Sequence, residues 1–278
     1  MHTLRNGDNF MEIMLWRELL EPYGMAVDEL MLKFTQVRDG YRKRGLYSPI
    51  EQVDGRLKTI SSILDKVQRK NIEIDHFEEQ LDDIAGIRII CQFVEDIEKV
   101  VEIIHDREDL KVISEKDYIT ESKDSGYRSY HMIVLYKVHT IDGPREVKVE
   151  IQIRTLAMNF WATVEHSLQY KYDRDIPDEI RERLTNASDA IVILDSEMSY
   201  VRQEILDAQN SFLLEANVVS DILNNIQNLV RYSNKREIKK IQDEFFRIHK
   251  TGNIKDLERF NKELDIIAEG RRAQSLEE

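Results

Sequence analysis

The chain has 278 residues, 41% of them hydrophobic, with 40 Lys and Arg against 53 Asp and Glu, a formal net charge of −13. A chain of this size buries about three quarters of its unfolded surface and needs no covalent staples. The single Cys91 excludes an intrachain disulfide or thiolate cluster, the net acidity argues against a general duplex binder, and no apolar run is long enough for a signal core or a membrane span.

The expected location is therefore cytoplasmic, and the Ile89-Ile90-Cys91-Gln92-Phe93 setting reads as an interior strand of a protein in a reducing compartment. Few glycines and prolines, 10 and 4, predict long uninterrupted elements. Residues 11–20 and 25–41 read as two amphipathic helices separated by Pro22, the second with Ala26, Leu30, Phe34 and Val37 on one stripe. Ser48-Pro49 marks a turn. Residues 59–70 resume a helix with Ile60, Ile63, Leu64 and Val67 on one side and basic groups on the other.

Between residues 84 and 155 the period changes to that of strands, at 87–93, 111–119, 129–140 and 145–155, with a helix over 97–105. In the last strand Val147, Val149, Ile151 and Ile153 alternate with Lys148, Glu150, Gln152 and Arg154, one face for the core and one a polar shelf. A helix follows over 156–172. Beyond Pro177, Ile180, Leu184, Ala187, Ile191, Leu194, Met198, Val201, Ile205, Ala208 and Phe212 recur in the 4-3 alternation of a helix with a packing partner, either a second copy, which predicts a homo-oligomer, or another element of the same chain. Two further apolar stripes flank Thr251-Gly252-Asn253, the pattern of a helical hairpin, and the charged end from residue 271 reads as disordered. The chain thus divides into N-terminal helices (1–45), a catalytic core (46–176) and a C-terminal helical region (177–278). Its class is α+β, a mixed sheet of about four to five strands flanked by helices, with long C-terminal helices.

Charge is unevenly spread. Residues 41–70 hold eight basic and three acidic groups, and residues 71–110 three basic and thirteen acidic ones. Either a solvated face or a polyphosphate site accounts for such an island. The segment Lys123-Asp124-Ser125-Gly126-Tyr127-Arg128-Ser129-Tyr130-His131 sets cations, a ring and an imidazole around a Gly turn. It is either a polar hairpin entry or a nucleotide loop, with Tyr127 stacking on a base while Lys123 and His131 reach phosphate oxygens. Asp83, before the first core strand, and Glu150, on the polar shelf, could share a Mg²⁺ ion if their strands are neighbours; a lone Asp there is otherwise a cap.

Five motifs in one order, Gly55-Arg56-Leu57-Lys58, Lys66-Val67-Gln68-Arg69-Lys70, Asp83-Ile84-Ala85-Gly86-Ile87-Arg88, Gly126-Tyr127-Arg128-Ser129-Tyr130-His131 and Val149-Glu150-Ile151-Gln152-Ile153-Arg154-Thr155, resemble the RelA/SpoT-type synthetase domain. The closer likeness is to stand-alone small alarmone synthetases of the RelQ type, through Asn159, Trp161, Glu165 and His166 as far as about residue 212. The resemblance implies a nucleotidyltransferase-like fold that moves the pyrophosphate of ATP to the 3′-hydroxyl of GDP or GTP and releases AMP. It implies catalytic and metal-holding roles for Asp83 and Glu150 with Mg²⁺ as cofactor, and ATP binding by Arg56, Lys58, Ser62, Lys66, Arg69 and Arg88. Guanine-nucleotide binding falls to Lys116, Lys123, Tyr127, His131, Gln152 and Glu165. It also suggests a homotetramer, with single-stranded RNA as a regulatory partner and no membrane association.

The resemblance further implies product activation by pppGpp, bound in a cleft between subunits that is lined partly by the segment before Gly55. There this chain has Thr35, Gln52 and Asp54 where the RelQ pattern has Lys, Phe and Thr, while Asn159 is retained. The competing readings are a nucleotidyltransferase acting on RNA or a small alcohol, and a catalytically weak scaffold or RNA-binding regulator. No Gly-Ser followed by spaced aspartates precedes Asp83, and the intact Asp83, Tyr127, His131 and Glu150 argue against decay. His105-Asp106 resembles the pair of a metal hydrolase, but ends a mid-domain helix and reads as surface structure.

Overall fold

The computed structural model describes residues 5–121, 123, 125–171, 177–230 and 233–277. The chain forms two units, Met1–Ser199 and Tyr200–Glu278.

The first unit is built on five strands, β1 (Gln52–Leu57), β2 (Ala85–Cys91), β3 (Leu110–Asp117), β4 (Tyr130–Thr140) and β5 (Gly143–Thr155), in the order β1-β2-β5-β4-β3. Only β2 and β5 run parallel; the other three pairings are antiparallel. The sheet is mixed, and it contains one strand more than the four the alternation reveals. That strand, β1, lies at the edge and is exposed except at Val53, so its sequence shows no apolar rhythm.

Alternation sorts the faces. Ile87, Ile89, Met132, Val134, Val149, Ile151 and Ile153 are buried in one cluster with Leu30 and Phe34 of helix α1 (Arg5–Lys43) and Ile97, Val100 and Ile104 of α4 (Glu95–His105). Helix α1 is continuous through Pro22, where sequence suggested two helices. Leu20, Tyr23, Ala26, Val27 and Leu30 are buried on both sides of the proline, and this shared packing holds the helix together despite the missing N–H. Gly55 lets β1 approach α1: a Cβ there would stand 2.3 Å from Met31 Sδ and 2.5 Å from Val27 Cγ1. Overpacking of that kind costs about 1–3 kcal/mol.

Helix α2 (Ile60–Lys70) starts at Thr59, whose side chain accepts from the Ser62 N–H, and ends at Asn71 with φ 54°. Such a cap is worth about 1 kcal/mol. Ile63 and Val67 are buried, Leu64 is exposed, and the basic side faces outward. The short α3 (Phe77–Gln80) leads to β2, and α5 (Leu156–Lys171) follows β5 directly; Tyr172, expected to end that helix, lies outside the described residues.

Helix α6 (Asp178–Leu229) is far longer than the heptad that announced it. Along it Leu194, Met198, Val201, Ile205 and Phe212 are exposed. In the second unit Ile222, Ile226 and Leu229 of α6 share a core with Ile238 and Phe245 of α7 (Lys235–His249) and Leu257, Phe260 and Leu264 of α8 (Ile254–Glu277). Gly252 turns the chain between α7 and α8 at φ +67°. Arg271 near the end of α8 lies 3.4 Å from Glu237 at the start of α7, so the two helices are antiparallel. The charged end is therefore helical through Glu277 rather than disordered, held in part by that ion pair. Among the described residues no helix is long and apolar enough to cross a membrane.

Candidate active site

Register assembles the site. Asp54 pairs with Arg88, Arg88 with Gln152, Gln152 with His131, and His131 with Lys116, one row across all five strands on the face opposite the core. The next row brings Arg56, Gly86 and Glu150 together. A cleft of about 290 Å³ opens here, lined by Asp54, Arg56, Arg88, Glu150 and Gln152 among others.

Asp83, just before β2, is half-buried. Its Oδ2 accepts from Lys58 Nζ at 2.7 Å and Lys66 Nζ at 2.6 Å, while Oδ1 is buried with no hydrogen-bond partner. Burial favours the neutral acid, but the two ammonium groups outweigh it and hold the carboxyl below its ordinary range. The Lys58 pKa is lowered, first by burial and then by the like charges of Lys66 and Arg56, which together outweigh its bond to Asp83. Two cations thus exceed the charge of their single partner and have capacity left for an anionic ligand.

Glu150 is the centre of a directed chain. Its Oε1 lies 3.1 Å from His131 Nδ1 and its Oε2 accepts from Gln152 Nε2 at 2.8 Å. His131 Nε2 lies 2.8 Å from the Tyr127 hydroxyl, and that oxygen accepts from Arg154 Nη2. Arg154 also donates to Gln152 Oε1 at 2.6 Å. Every donor is satisfied if Arg154 donates to Tyr127, Tyr127 to Nε2 and Nδ1–H to Glu150, which assigns the imidazole tautomer from the network. Burial raises the Glu150 pKa, but hydrogen bonds from His131 and Gln152 more than offset it, so the carboxylate is held ionised. Asp83 opposes that shift through its own charge, so the two carboxylates feel one another across the cleft.

Tyr127 leaves the turn at Gly126 (φ +83°) and packs edge-on against His131 and Tyr118, at centroid distances of 5.7 and 6.2 Å. Lys123 Nζ lies 4.8 Å and Arg154 Cζ 5.1 Å from its ring centre. Lys123 is exposed, so a planar ligand can displace it from the ring toward phosphate oxygens.

The other expected residues divide clearly. Ser62, Lys66 and Arg69 share a face of α2 at spacings of four and three. Ser62 Oγ is engaged with Thr59 Oγ1 at 2.8 Å. Lys116 is exposed at the end of the polar row, while Glu165 lies on α5, outside that row. His105 pairs with Glu115 at 2.9 Å, and Asp106 caps α4. Two participants were not singled out from sequence: Arg154, only 4% exposed, and Tyr118. The outward phase of Arg154 on β5 was the available signal.

A divalent ion suits this donor set. The unpartnered Asp83 Oδ1 and the ionised Glu150 are hard oxygen donors, and Mg²⁺ commonly takes one or two carboxylates plus substrate phosphates. Among the described residues no group of three or more His, Cys, Asp or Glu forms a separate metal cage.

Residues 55–175 match the family model described as the region found in RelA / SpoT proteins. The chain is 52% identical over 197 residues to the GTP pyrophosphokinase YjbM of Bacillus subtilis, covering 71% of this chain and 93% of that protein. It superposes on the small alarmone synthetase 1 of Bacillus subtilis bound to its product pppGpp with a TM-score of 0.67 and 51% identity, over 69% of this chain and 98% of the other. The same synthetase bound to AMPCPP gives a TM-score of 0.62 at 47% identity over the same shares. Fold, ordered motifs and similarity over nearly the whole length of these relatives agree: the chain belongs to the RelA/SpoT family of GTP pyrophosphokinases, with the small alarmone synthetases among its relatives.

Proposed function

We propose that the cleft makes (p)ppGpp by transferring the β,γ-pyrophosphate of ATP to the ribose 3′-hydroxyl of GDP or GTP. The 3′-oxygen bonds to the β-phosphorus, the bond from that phosphorus to the α,β-bridging oxygen breaks, AMP leaves with this oxygen, and the hydroxyl proton passes to Glu150. One observation carries the assignment: the ionised Glu150 stands between two groups of basic side chains, Arg56, Lys58, Lys66 and Arg88 on one side and Lys116 and Lys123, with the imidazole of His131, on the other.

The first side takes ATP. Arg56 and Arg88 are planar cations that stack on adenine, and Lys58, Ser62, Lys66 and Arg69 meet its phosphates. The second side takes the acceptor, with Tyr127 against guanine, the cations on its phosphates, and Gln152 and Glu165 at its margin. Asp83 and Glu150 would hold Mg²⁺, which when bound neutralises polyphosphate charge. Orientation and charge neutralisation provide most of the acceleration in phosphoryl chemistry, and this residue set supplies both. Incubation with labelled ATP and GDP should give labelled ppGpp and AMP; transfer to RNA, or no product, would exclude the assignment. Single-stranded RNA would compete for the Tyr127 ring and should raise the KM for GDP.

The exposed heptad of α6 is proposed to pack against further copies of the chain, as a homo-oligomer and, by family likeness, a tetramer. Its a and d positions from Leu194 to Phe212 are apolar and open, the arrangement that a second helix covers. Light scattering that returns the mass of a single chain at micromolar concentration would exclude it.

A further inference from the structure

Helix α6 begins beyond the matched residues 55–175, yet three of its polar side chains reach the supports of Tyr127. Ser188, 3% exposed, donates its hydroxyl to the Gly126 carbonyl. Asp189 Oδ1 lies 3.5 Å from Arg128 Nη2, and Arg128 Nη1 donates to the Ile119 carbonyl at 2.9 Å. Asp195, 5% exposed, accepts from Thr155 Oγ1 at 2.7 Å, and the same Thr155 oxygen accepts from the Met158 N–H at the start of α5.

These anchors act on Tyr127 from two directions. Gly126 and Arg128 are its chain neighbours. Thr155 follows Arg154, the donor to the Tyr127 hydroxyl. One helix therefore fixes both the backbone that carries the ring and the guanidinium that orients its hydroxyl. Gly126 is fitted to this contact: at φ +83° its Cβ would come within 2.9 Å of Ser188 Cβ and 3.4 Å of Thr185 Cα. Helix α6 is itself held in place by Trp161, whose indole N–H donates to the Leu184 carbonyl at 2.8 Å. Among the described residues the loop is closed at its base by Tyr118 N to Ser129 O at 3.0 Å, and at its tip the turn bond from Gly126 N to Lys123 O, at 2.8 Å, is joined by a longer one from Lys123 N to Tyr127 O at 3.5 Å. The tip that carries Tyr127 lies between these bonds, and its order depends also on what it packs on.

We propose that Ser188, Asp189 and Asp195 are positioning residues for the acceptor nucleotide, and that α6 holds the Tyr127 loop ready for guanine before it binds. This rests on the assignment of Tyr127 to the acceptor side. Loosening the clamp makes the acceptor pay for ordering the loop, and leaves the ATP side, on β1, α2 and β2, as it was.

Kinetics of the full chain test this, with GDP varied at saturating ATP and the reverse. Ser188→Ala removes one hydroxyl and no packing volume of consequence, and a thermal melt controls for folding. It should raise the KM for GDP about three- to tenfold, with kcat and the KM for ATP within about twofold of wild type. Asp195→Ala should do the same, and Asp195→Asn, which keeps an acceptor oxygen for Thr155, should restore the wild-type value. In a Tyr127→Ala background Ser188→Ala should add nothing, because the two act through one ring. Unchanged KM for GDP in both Ser188→Ala and Asp195→Ala, or equal rises in both KM values, would overturn the clamp. If Tyr127→Ala itself leaves the KM for GDP unaltered, the acceptor assignment falls and takes the clamp with it; if that variant raises it and neither Ser188→Ala nor Asp195→Ala does, the clamp alone falls.

Discussion

His131 Nδ1 lies 3.1 Å from Glu150 Oε1, diagonally across the antiparallel β4–β5 pair, and joins the cleft carboxylate to the loop that carries Tyr127. The contact holds Glu150 as an ionised acceptor in a half-buried site, the state a general base needs. Glu150→Gln keeps the shape and a carbonyl oxygen for Nδ1–H but cannot take a proton. It should lower kcat at least about a hundredfold while circular dichroism and melting stay near wild type. A folded variant that keeps more than about a tenth of the turnover would remove Glu150 from the chemistry.

Asp83 carries a second test, in metal dependence and in acid stability. Its folded pKa is depressed, so its contribution to stability is present above the unfolded value of about 3.9 and is lost as pH falls through the lower folded value. Asp83→Asn keeps Oδ1 as a neutral oxygen and leaves Lys58 and Lys66 facing an amide. The variant should need several times more Mg²⁺ for half-maximal rate, and its stability deficit should shrink as the solution is acidified below pH 4. A Mg²⁺ titration that superposes on wild type would place the metal elsewhere.

At Tyr127 the ring and the hydroxyl can be separated. The ring serves stacking, worth about 1–3 kcal/mol for a base on an aromatic, whereas the hydroxyl links Arg154 to His131. Tyr127→Ala should therefore raise the KM for GDP much more than that for ATP. Tyr127→Phe should leave the KM for GDP close to wild type and lower kcat, since His131 loses the partner on Nε2 that sets its tautomer. Equal loss of both substrates in the alanine variant would indicate a collapsed loop.

The core strands and most of the site were legible because both follow local rules. Period-two alternation in β5 separated Ile151 and Ile153 from Glu150 and Gln152, and the structure buries the first pair and opens the second onto the cleft. Edge strand β1 was missed because a strand exposed on nearly every residue has no rhythm to read. The Pro22 break was overridden by burial on both sides, a tertiary effect outside any local window. Sequence raised the meeting of Asp83 with Glu150 only as a condition on strand order; the parallel β2–β5 pairing across a long crossover supplies it. Arg154 reads as a polar-face residue, yet it is buried beneath Tyr127, and nothing in its neighbours announces that contact.

Product activation should be weak in this chain, which departs from the RelQ pattern at Thr35, Gln52 and Asp54. Gln52 and Asp54 lie on the exposed edge strand β1, where Asp54 pairs with Arg88 at the margin of the catalytic cleft, a different place from the cleft between subunits that the resemblance implies for the effector. An aromatic platform and a cation are thereby absent, and a carboxylate is added. A carboxylate set beside a polyphosphate repels it, less so at an exposed edge where salt screens the pair, and so works against a coupling of about 1–3 kcal/mol between sites. Asn159, the retained position, has its Oδ1 buried without a hydrogen-bond partner, and one neutral acceptor cannot compensate the lost cation toward a polyphosphate. Added pppGpp should change the initial rate less than about twofold. The combined Thr35→Lys, Gln52→Phe and Asp54→Thr variant should gain stimulation, because it restores cation and ring and removes the repelling charge. A several-fold stimulation of the unmodified chain, with a sigmoidal dependence on GDP that pppGpp abolishes, would show that other cations of the cleft carry the effector and that these three substitutions are silent.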